Sequence, residues 1–296
     1  MEATDAALAD VLPSFRAAKL TGDNPQLVGM DDIVQLQAAQ VMASLNDGDA
    51  WSESLGKAVV DWQTSFPAEA DETDTDGDGK IDPAGFELAT SSASIYLDAE
   101  ARPYLRATAD NALLQIDQFV HITGDLAFEK GSGQNVDIAT GLPDNLDEVD
   151  ATLHAQLTDA KTNHGLQLSD DFSTISDLAV DTMSITATGV SAFVGINGPY
   201  KTDTNNDGDL SDETPNADAT GIWLPNTDLG FLQMEATDAS LADVLPSFRA
   251  AKLSGDNPQL VGMDDIMKLQ VAQVLASLND VTLERIAGQS RCRLAN

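Results

Sequence analysis

The chain is poor in cysteine and in basic residues. Cys292 is the single cysteine among 296 residues, so neither a disulfide framework nor a cysteine-based zinc site can be built. The 15 Lys and Arg residues stand against 49 Asp and Glu, which gives a formal net charge of -34. A surface of that sign repels phosphate backbones and anionic lipid, so we expect neither a nucleic-acid partner nor binding to an acidic membrane surface.

Long apolar runs are also missing. The sequence contains no run of about 18 apolar residues, so we expect no membrane insertion. The first residues, MEATDAALAD, lack the basic and apolar regions of a signal peptide. Hydrophobic residues nevertheless make up 42% of the chain, which is enough for one large core or two modest ones. We therefore expect a folded protein.

An internal repeat is the most conspicuous feature that is present. The decapeptide DVLPSFRAAK starts at Asp10 and again at Asp243, and the similarity extends over Met1–Asp47 and Met234–Asp280 with six differences. The copies lie 233 positions apart, and four of the six differences keep the apolar or small character of the position. This is the pattern of one fold encoded twice. We expect residues 1–233 to form one repeat unit and 234–280 to begin a second.

The sequences around the two copies differ. TDLGFLQ leads into Met234, whereas nothing precedes Met1, so Met1 corresponds to the interior of a unit. After Asp280 the residues 281–296, VTLERIAGQSRCRLAN, share nothing with the first unit. We expect a fragment of a longer repeat protein, with a tail at 281–296 that is either foreign sequence or a C-terminal cap.

Alternation of apolar and polar residues is the dominant local pattern. It predicts one long half-buried strand over LLQIDQFVHITGDLAFE (113–129), bent at Gly124 and with His121 on its polar face. A shift of the apolar phase between Ala38 and Ala39 predicts a bulge in IVQLQAAQVMASL. Further predicted strands are FRAAKL, PQLVGM, GFELATSSASIYLD, PYLRATA, MSITATGVSAFVGI and TDLGFLQM.

Helical patterns are fewer and shorter. NLDEVDATLHAQLTDA places Leu146 and Leu157 on one apolar stripe and begins with acidic residues, as helix N-termini favour. SESLGKAVVDWQTSF, with Ser52 as its cap, and TDAALADVL, ended by Pro13, predict two more helices. The expected fold is a mainly β, elongated repeat array, either a β-solenoid or long-sheet or β-sandwich-like units, with a few short helices in the connections.

Two acidic stretches have the spacing of calcium ligands. DTDGDGKID and DTNNDGDLSDE alternate short carboxylate or amide side chains before a glycine, as in the first half of an EF-hand loop. Both lack the glutamate at position twelve, so a nearer acidic residue must complete each ligand shell. The candidate ligands are Asp74, Asp76, Asp78, Lys80 through its carbonyl, and Asp82 in the first loop, and Asp203, Asn205, Asp207, Asp209, Asp212 and Glu213 in the second. The alternative interpretation is two solvated acidic loops.

Catalytic motifs are not evident. Neither HExxH nor GxSxG occurs, no phosphate-loop motif is present, and the three histidines form no pattern. We therefore predict no catalytic residues. Trp51, Trp62 and Trp223 are predicted to anchor the core, with carbohydrate stacking as the alternative.

The phrases SITATGVSAFVGINGPY, TDLGFLQM, FVHITGDLAFEK, and DVLPSFRAAK followed by PQLVGMDD cover characteristic parts of the repeat. They resemble the repeat regions of very large, acidic extracellular proteins of Gram-negative, often marine, bacteria. The resemblance covers most of Met1–Asp280 and carries no catalytic residue. It implies a secreted or surface-exposed β array of adhesin or matrix type, whose partners are neighbouring repeat units and cell-surface or matrix components.

These observations lead to three functional hypotheses. The favoured one is a non-enzymatic structural or adhesive repeat module, extracellular or on the cell surface, that calcium bound in the two loops rigidifies. The second is a carbohydrate- or partner-binding module. The third is a calcium-stabilised extracellular hydrolase, which needs paired carboxylates in a cleft.

Overall fold

The computed structural model describes residues 12–26, 34–52, 55–69, 82–89, 94–204, 210, 212–263 and 271–282. Its strands are β1 (Phe15–Asp23), β2 (Val34–Gln37), β3 (Gln40–Gly48), β4 (Ala50–Ser52), β5 (Leu55–Lys57), β6 (Phe86–Ala89), β7 (Ser94–Leu97), β8 (Tyr104–Ile116), β9 (Val120–Ala139), β10 (Gln167–Leu168), β11 (Thr174–Ile196), β12 (Thr220–Ala236), β13 (Ser247–Asp256), β14 (Gln259–Val261) and β15 (Gln273–Thr282). Its helices are α1 (Trp62–Ser65), α2 (Leu146–Val149), α3 (Ala151–Asn163) and α4 (Ala239–Ala242).

One antiparallel sheet of 11 strands dominates the molecule. Its main path runs β1-β3-β8-β9-β11-β12-β13-β15, while β2, β10 and β14 pair alongside β8, β11 and β12. The prediction of a mainly β fold with a few short helices is confirmed. Of the predicted alternatives, the structure has the long sheet, since a β-solenoid would stack parallel rungs.

The connections between strands pack on one face of this sheet, which we call the covered face. They form three apolar clusters there. The largest combines α2, α3 and α4 with the strand residues Ile175, Leu178 and Val180. A second is centred on Trp62 and Tyr104, and a third on Phe193 and Trp223. The core is therefore divided along the sheet.

The predicted single strand over residues 113–129 is wrong, because the chain turns at Asp117. That residue has a φ of 46°, and β8 and β9 form a hairpin around it. The predicted bend at Gly124 is confirmed, since its φ is 148° and the register of β11 shifts opposite it. A Cβ at Gly124 would lie 2.8 Å from the Cα of Val190, so the bend requires glycine.

The predicted helix with Ser52 as its cap is also wrong. Its first residues form the small strands β4 and β5, and only the single turn α1 is helical. Asp61 caps that turn by accepting a hydrogen bond from the Thr64 backbone N–H. The acidic helix is found where predicted, although Asp150 interrupts it and caps α3. The helix predicted over TDAALADVL lies outside the described residues, except for Leu12.

The structure has an irregularity at Ala38 and Ala39, but the predicted bulge is wrong, because Gln37 lies opposite Leu113 and Gln40 opposite Asp110 without a change of register. β2 pairs with the last residues of β8, and β3 pairs with its first residues. Ala38 and Ala39 separate β2 from β3 along the chain, while Asn111 separates the two corresponding parts of β8 with a φ of 46°. The alternating pattern therefore continues through an irregularity on both strands.

Candidate functional site

The base of the first predicted calcium loop is closed by two hydrogen bonds. The Glu69 backbone N–H donates to the Asp82 carbonyl at 3.0 Å, and the Asp82 N–H donates to a Glu69 carboxylate oxygen at 3.1 Å. The Asp82 carboxylate accepts a hydrogen bond from the Tyr96 hydroxyl, which connects it to β7. The two ends of this loop are thereby held together.

The base of the second loop is closed in a comparable way. Both carboxylate oxygens of Glu213 accept from the Thr204 hydroxyl, at 2.9 and 2.8 Å, and one also accepts from the Thr204 N–H at 2.7 Å. The Lys201 ammonium donates to the Leu210 carbonyl at 2.6 Å. Glu213, a predicted ligand, therefore ties one end of the loop to the other.

Some of the predicted ligands lie outside the described residues and some lie inside them. Those outside the described residues are Asp74, Asp76, Asp78, Lys80, Asn205, Asp207 and Asp209. Asp82, Asp203, Asp212 and Glu213 lie inside them, at the loop bases. Within the described residues, no three His, Cys, Asp or Glu side chains come close enough together to hold a metal ion.

Two of the three tryptophans are core residues, as predicted. Trp62 is 3% exposed, and its indole N–H donates to the Asn46 side-chain oxygen at 3.1 Å. Trp223 is 4% exposed and packs against Tyr200, with ring centroids 5.6 Å apart. The third, Trp51, lies in β4. Burial of Trp62 and Trp223 leaves neither ring free to stack broadly on a sugar.

A cavity of about 770 Å³ lies over the covered face next to the second loop. Its lining includes Gln115, His121, Lys201 and Trp223. His121 is buried rather than exposed on a polar face as predicted, because the segment around Gly198 lies over it. Burial lowers the pKa of His121.

An ion-pair cluster on the covered face uses two of the scarce arginines. Arg102 and Arg106 each bind both Glu100 and Glu129, with nitrogen–oxygen distances of 2.7 to 3.0 Å. Both guanidinium groups lie over the Tyr104 ring, at 5.0 and 5.2 Å from its centroid. Burial opposes ionisation of Glu129, but hydrogen bonds from the two arginines hold its pKa below the usual range. The cluster fixes the connection before β8 to the sheet.

The two copies of the repeat form the same hairpin. β1 pairs with β3 so that Phe15 lies opposite Gly48 and Asp23 opposite Gln40. β13 pairs with β15 in the identical register 233 positions later, with Phe248 opposite Val281 and Asp256 opposite Gln273.

The hairpins also agree in detail at one end. Asn24 and Asn257 both have a left-handed backbone, with φ of 50° and 46°. Their N–H groups donate to the equivalent carbonyls of Ala39 and Ala272, at 2.8 and 3.0 Å. The repeated sequence therefore specifies one local structure in two places.

These equal hairpins occupy different positions in the sheet. The second strand of the first hairpin, β3, lies between β1 and β8, and the first strand of the second hairpin, β13, lies between β12 and β15. Within the described residues, β1 ends the sheet on one side and β15 ends it on the other. Each terminal strand thus has a copy elsewhere in the chain that is paired on both edges.

The other face of the sheet, which we call the open face, carries apolar residues that are partly exposed. Directly opposed residues share a face, and one row across eight strands consists of Leu20, Ala43, Ala107, Phe128, Ile185, Phe231, Ala251 and Leu278. Leu20, Ile185 and Leu278 are 61%, 42% and 52% exposed. Alternation alone gave no indication that the connections would pack on the opposite face.

Searches of protein-family models, curated proteins and solved structures find no match to this chain. None of the helices among the described residues has the length and apolar character needed to cross a membrane.

Proposed function

We propose that this chain is a non-enzymatic structural repeat module of a large secreted or surface protein. Successive units of 233 residues add their strands to one continuous antiparallel sheet. The observation that supports this most strongly is the pairing of β12 with β13, because most of β12 belongs to the first unit and all of β13 belongs to the second. Units joined in this way are connected through backbone hydrogen bonds rather than through a flexible linker.

The pairing across the repeat boundary can be tested by disulfide formation. In a Cys292→Ser background, cysteines at Leu232 and Ala250, which lie opposite each other, should form a disulfide on mild oxidation. Cysteines at Leu232 and Ala251 are the matched control, since neighbouring residues of a strand point to opposite faces. Equal yields from both pairs, or no disulfide from either, would overturn the proposed continuity.

Calcium bound in the two loops would rigidify this array. The closed loop bases support this part of the proposal, because they hold Asp82 and Glu213 at the ends of segments rich in carboxylates. A cation bound only by the folded loops stabilises the fold by mass action. It also reduces the self-repulsion of a chain with a net charge of -34.

Thermal unfolding in calcium and in chelator tests this. At 10 mM calcium and dissociation constants of about 10⁻⁴ to 10⁻³ M, each loop should add roughly 1.4 to 2.7 kcal/mol to the free energy of unfolding. Sodium chloride at equal ionic strength controls for screening, and Asp76→Ala and Asp207→Ala should each remove one part of the gain. A melting temperature that is the same in calcium and in chelator at equal ionic strength would contradict calcium binding.

A second candidate function is partner binding through the open face. The exposed apolar row that includes Leu20, Ile185 and Leu278 is the specific observation in its favour, because contiguous apolar surface of this kind marks interaction sites. The partner would be another apolar surface, rather than a sugar stacked on tryptophan.

A further inference from the structure

The outer edge of β15 corresponds to an edge that is paired elsewhere in the same chain. β15 lies against β13 in the register in which β3 lies against β1. On its other edge β3 pairs with β8, from Gln40 opposite Asp110 to Asn46 opposite Tyr104. The equivalent edge of β15 has no paired strand among the described residues.

The side chains of β15 are more exposed than the corresponding side chains of β3. Asn46 is 1% exposed, whereas its copy Asn279 is exposed. Leu275 is 65% exposed, whereas its counterpart Met42 is half-buried. The same residues are thus buried where a strand and its connection cover them and exposed where none does.

We propose that the open edge of β15 binds a strand with the sequence of Tyr104–Asp110, antiparallel and in the register that places Ala107 opposite Ala276. This proposal rests on the proposed continuity of the sheet. β8 itself is already paired on both edges, with β3 and β9, so the occupant is an additional β8 strand, as a further repeat unit would present it.

The chemistry of the two strands is complementary in this register. Main-chain hydrogen bonds supply the affinity of an added strand, and its side chains supply the specificity. Leu105 of the incoming strand would lie beside Leu278, as Leu105 lies beside Leu45 in the first unit. A peptide of residues 102–112 carries two arginines and one aspartate, which favours its approach to a chain with a net charge of -34.

Register-specific crosslinking tests the proposal on the full chain. The probe is a synthetic peptide of residues 102–112, RPYLRATADNA, with cysteine in place of Ala107. Ala276→Cys in a Cys292→Ser background should form a mixed disulfide with it, measured by mass spectrometry under a glutathione redox buffer. Ser277→Cys is the matched control, because its side chain points to the opposite face. We expect at least a tenfold higher yield at Ala276 and no such preference for a scrambled peptide.

Three outcomes would overturn the proposal. Equal yields at the two positions would show contact without strand pairing, and the absence of crosslinks at both would show that the edge takes no β8 strand. Homodimers linked through Ala276→Cys would assign the edge to a second β15. If the Leu232 and Ala250 cysteines still form their disulfide, these failures concern the β15 edge alone and leave the continuity of the sheet intact.

Discussion

At the scale of single residues, Asn46 and Asn279 show that the burial of one side chain depends on the segments packed around it. The Asn46 amide donates to the carbonyls of Val60 and Glu100, at 3.0 and 2.8 Å, and its oxygen accepts from Trp62. These bonds join β3 to α1 and to the connection before β8. Asn279 is the same residue of the repeat in an exposed position.

This contrast gives a prediction with an internal control. Asn46→Ala should lower the free energy of unfolding by about 2 kcal/mol, because it leaves a buried indole N–H and two partly buried carbonyls without their partner. Asn279→Ala should change it by less than about 0.5 kcal/mol. Urea denaturation of both variants measures the difference, and similar losses in the two would contradict the assigned burial.

At the scale of elements, three of the strand irregularities satisfy the backbone in the same way. The N–H of Asn111 donates to Asp125 at 2.9 Å, that of Gly189 to Asp228 at 3.0 Å, and that of Asp177 to Asp137 at 2.9 Å. Each donor residue has a positive φ and interrupts a strand. A carboxylate on the neighbouring strand therefore replaces the ladder hydrogen bond that the irregularity removes.

We expect these carboxylates to stabilise the long strands measurably. Asp228→Ala should lower the free energy of unfolding by about 1 kcal/mol, as loss of a hydrogen bond to a charged group does at an accessible site. Asp144→Ala removes the same charge in the connection before α2 and should have little effect. Chemical denaturation of the pair provides the measurement, and equal effects would mean that only net charge matters.

At the scale of the whole molecule, the apolar rows of the open face continue from β1 to β15 without a break. A second row, shifted by two residues, includes Leu126, Leu229 and Leu253. Together the two rows form an apolar band across the long sheet that the connections do not cover in the described part of the chain. Such a surface favours association with another apolar surface.

Charge placed on the open face should reduce this association. Ile185→Lys should lower both the binding of an apolar dye such as ANS and any concentration-dependent self-association seen by sedimentation. Thr186→Lys adds the same charge to the same strand on the opposite face, and it should leave both readouts unchanged. If the two variants behave alike, the open face is not the surface that associates.

Much of the local structure could be predicted from the sequence. Alternation located most of the long strands, and the acidic helix was found where expected. The turn at Asp117 was missed because aspartate adopts a left-handed backbone without interrupting the apolar alternation around it. The predicted helix after Ser52 failed because its apolar spacing fits two short strands and one turn equally well.

The calcium ligands stay a prediction from spacing, and the structure adds the closed loop bases to it. Sequence reasoning did not identify the hydrogen bonds from Glu69 or Thr204, because Glu69 lies outside the loop motif and Thr204 lies between the candidate ligands. The edge of β15 also gave no local signal. It is recognisable only by comparison with β3, whose identical pattern is completed by a strand more than 50 residues further along the chain.

The sequence by itself determined that the chain is mainly β and where most of its long strands lie. These properties depend on residues close together in the chain. The tertiary structure alone decided that His121 is buried while Leu126 is 41% exposed, and that β1 and β15 end the sheet in the described part of the chain. The physical reason is that the alternation of apolar and polar residues distinguishes the two faces of a strand. Which face and which edge of the sheet become covered depends on the packing of connections that are distant in the sequence.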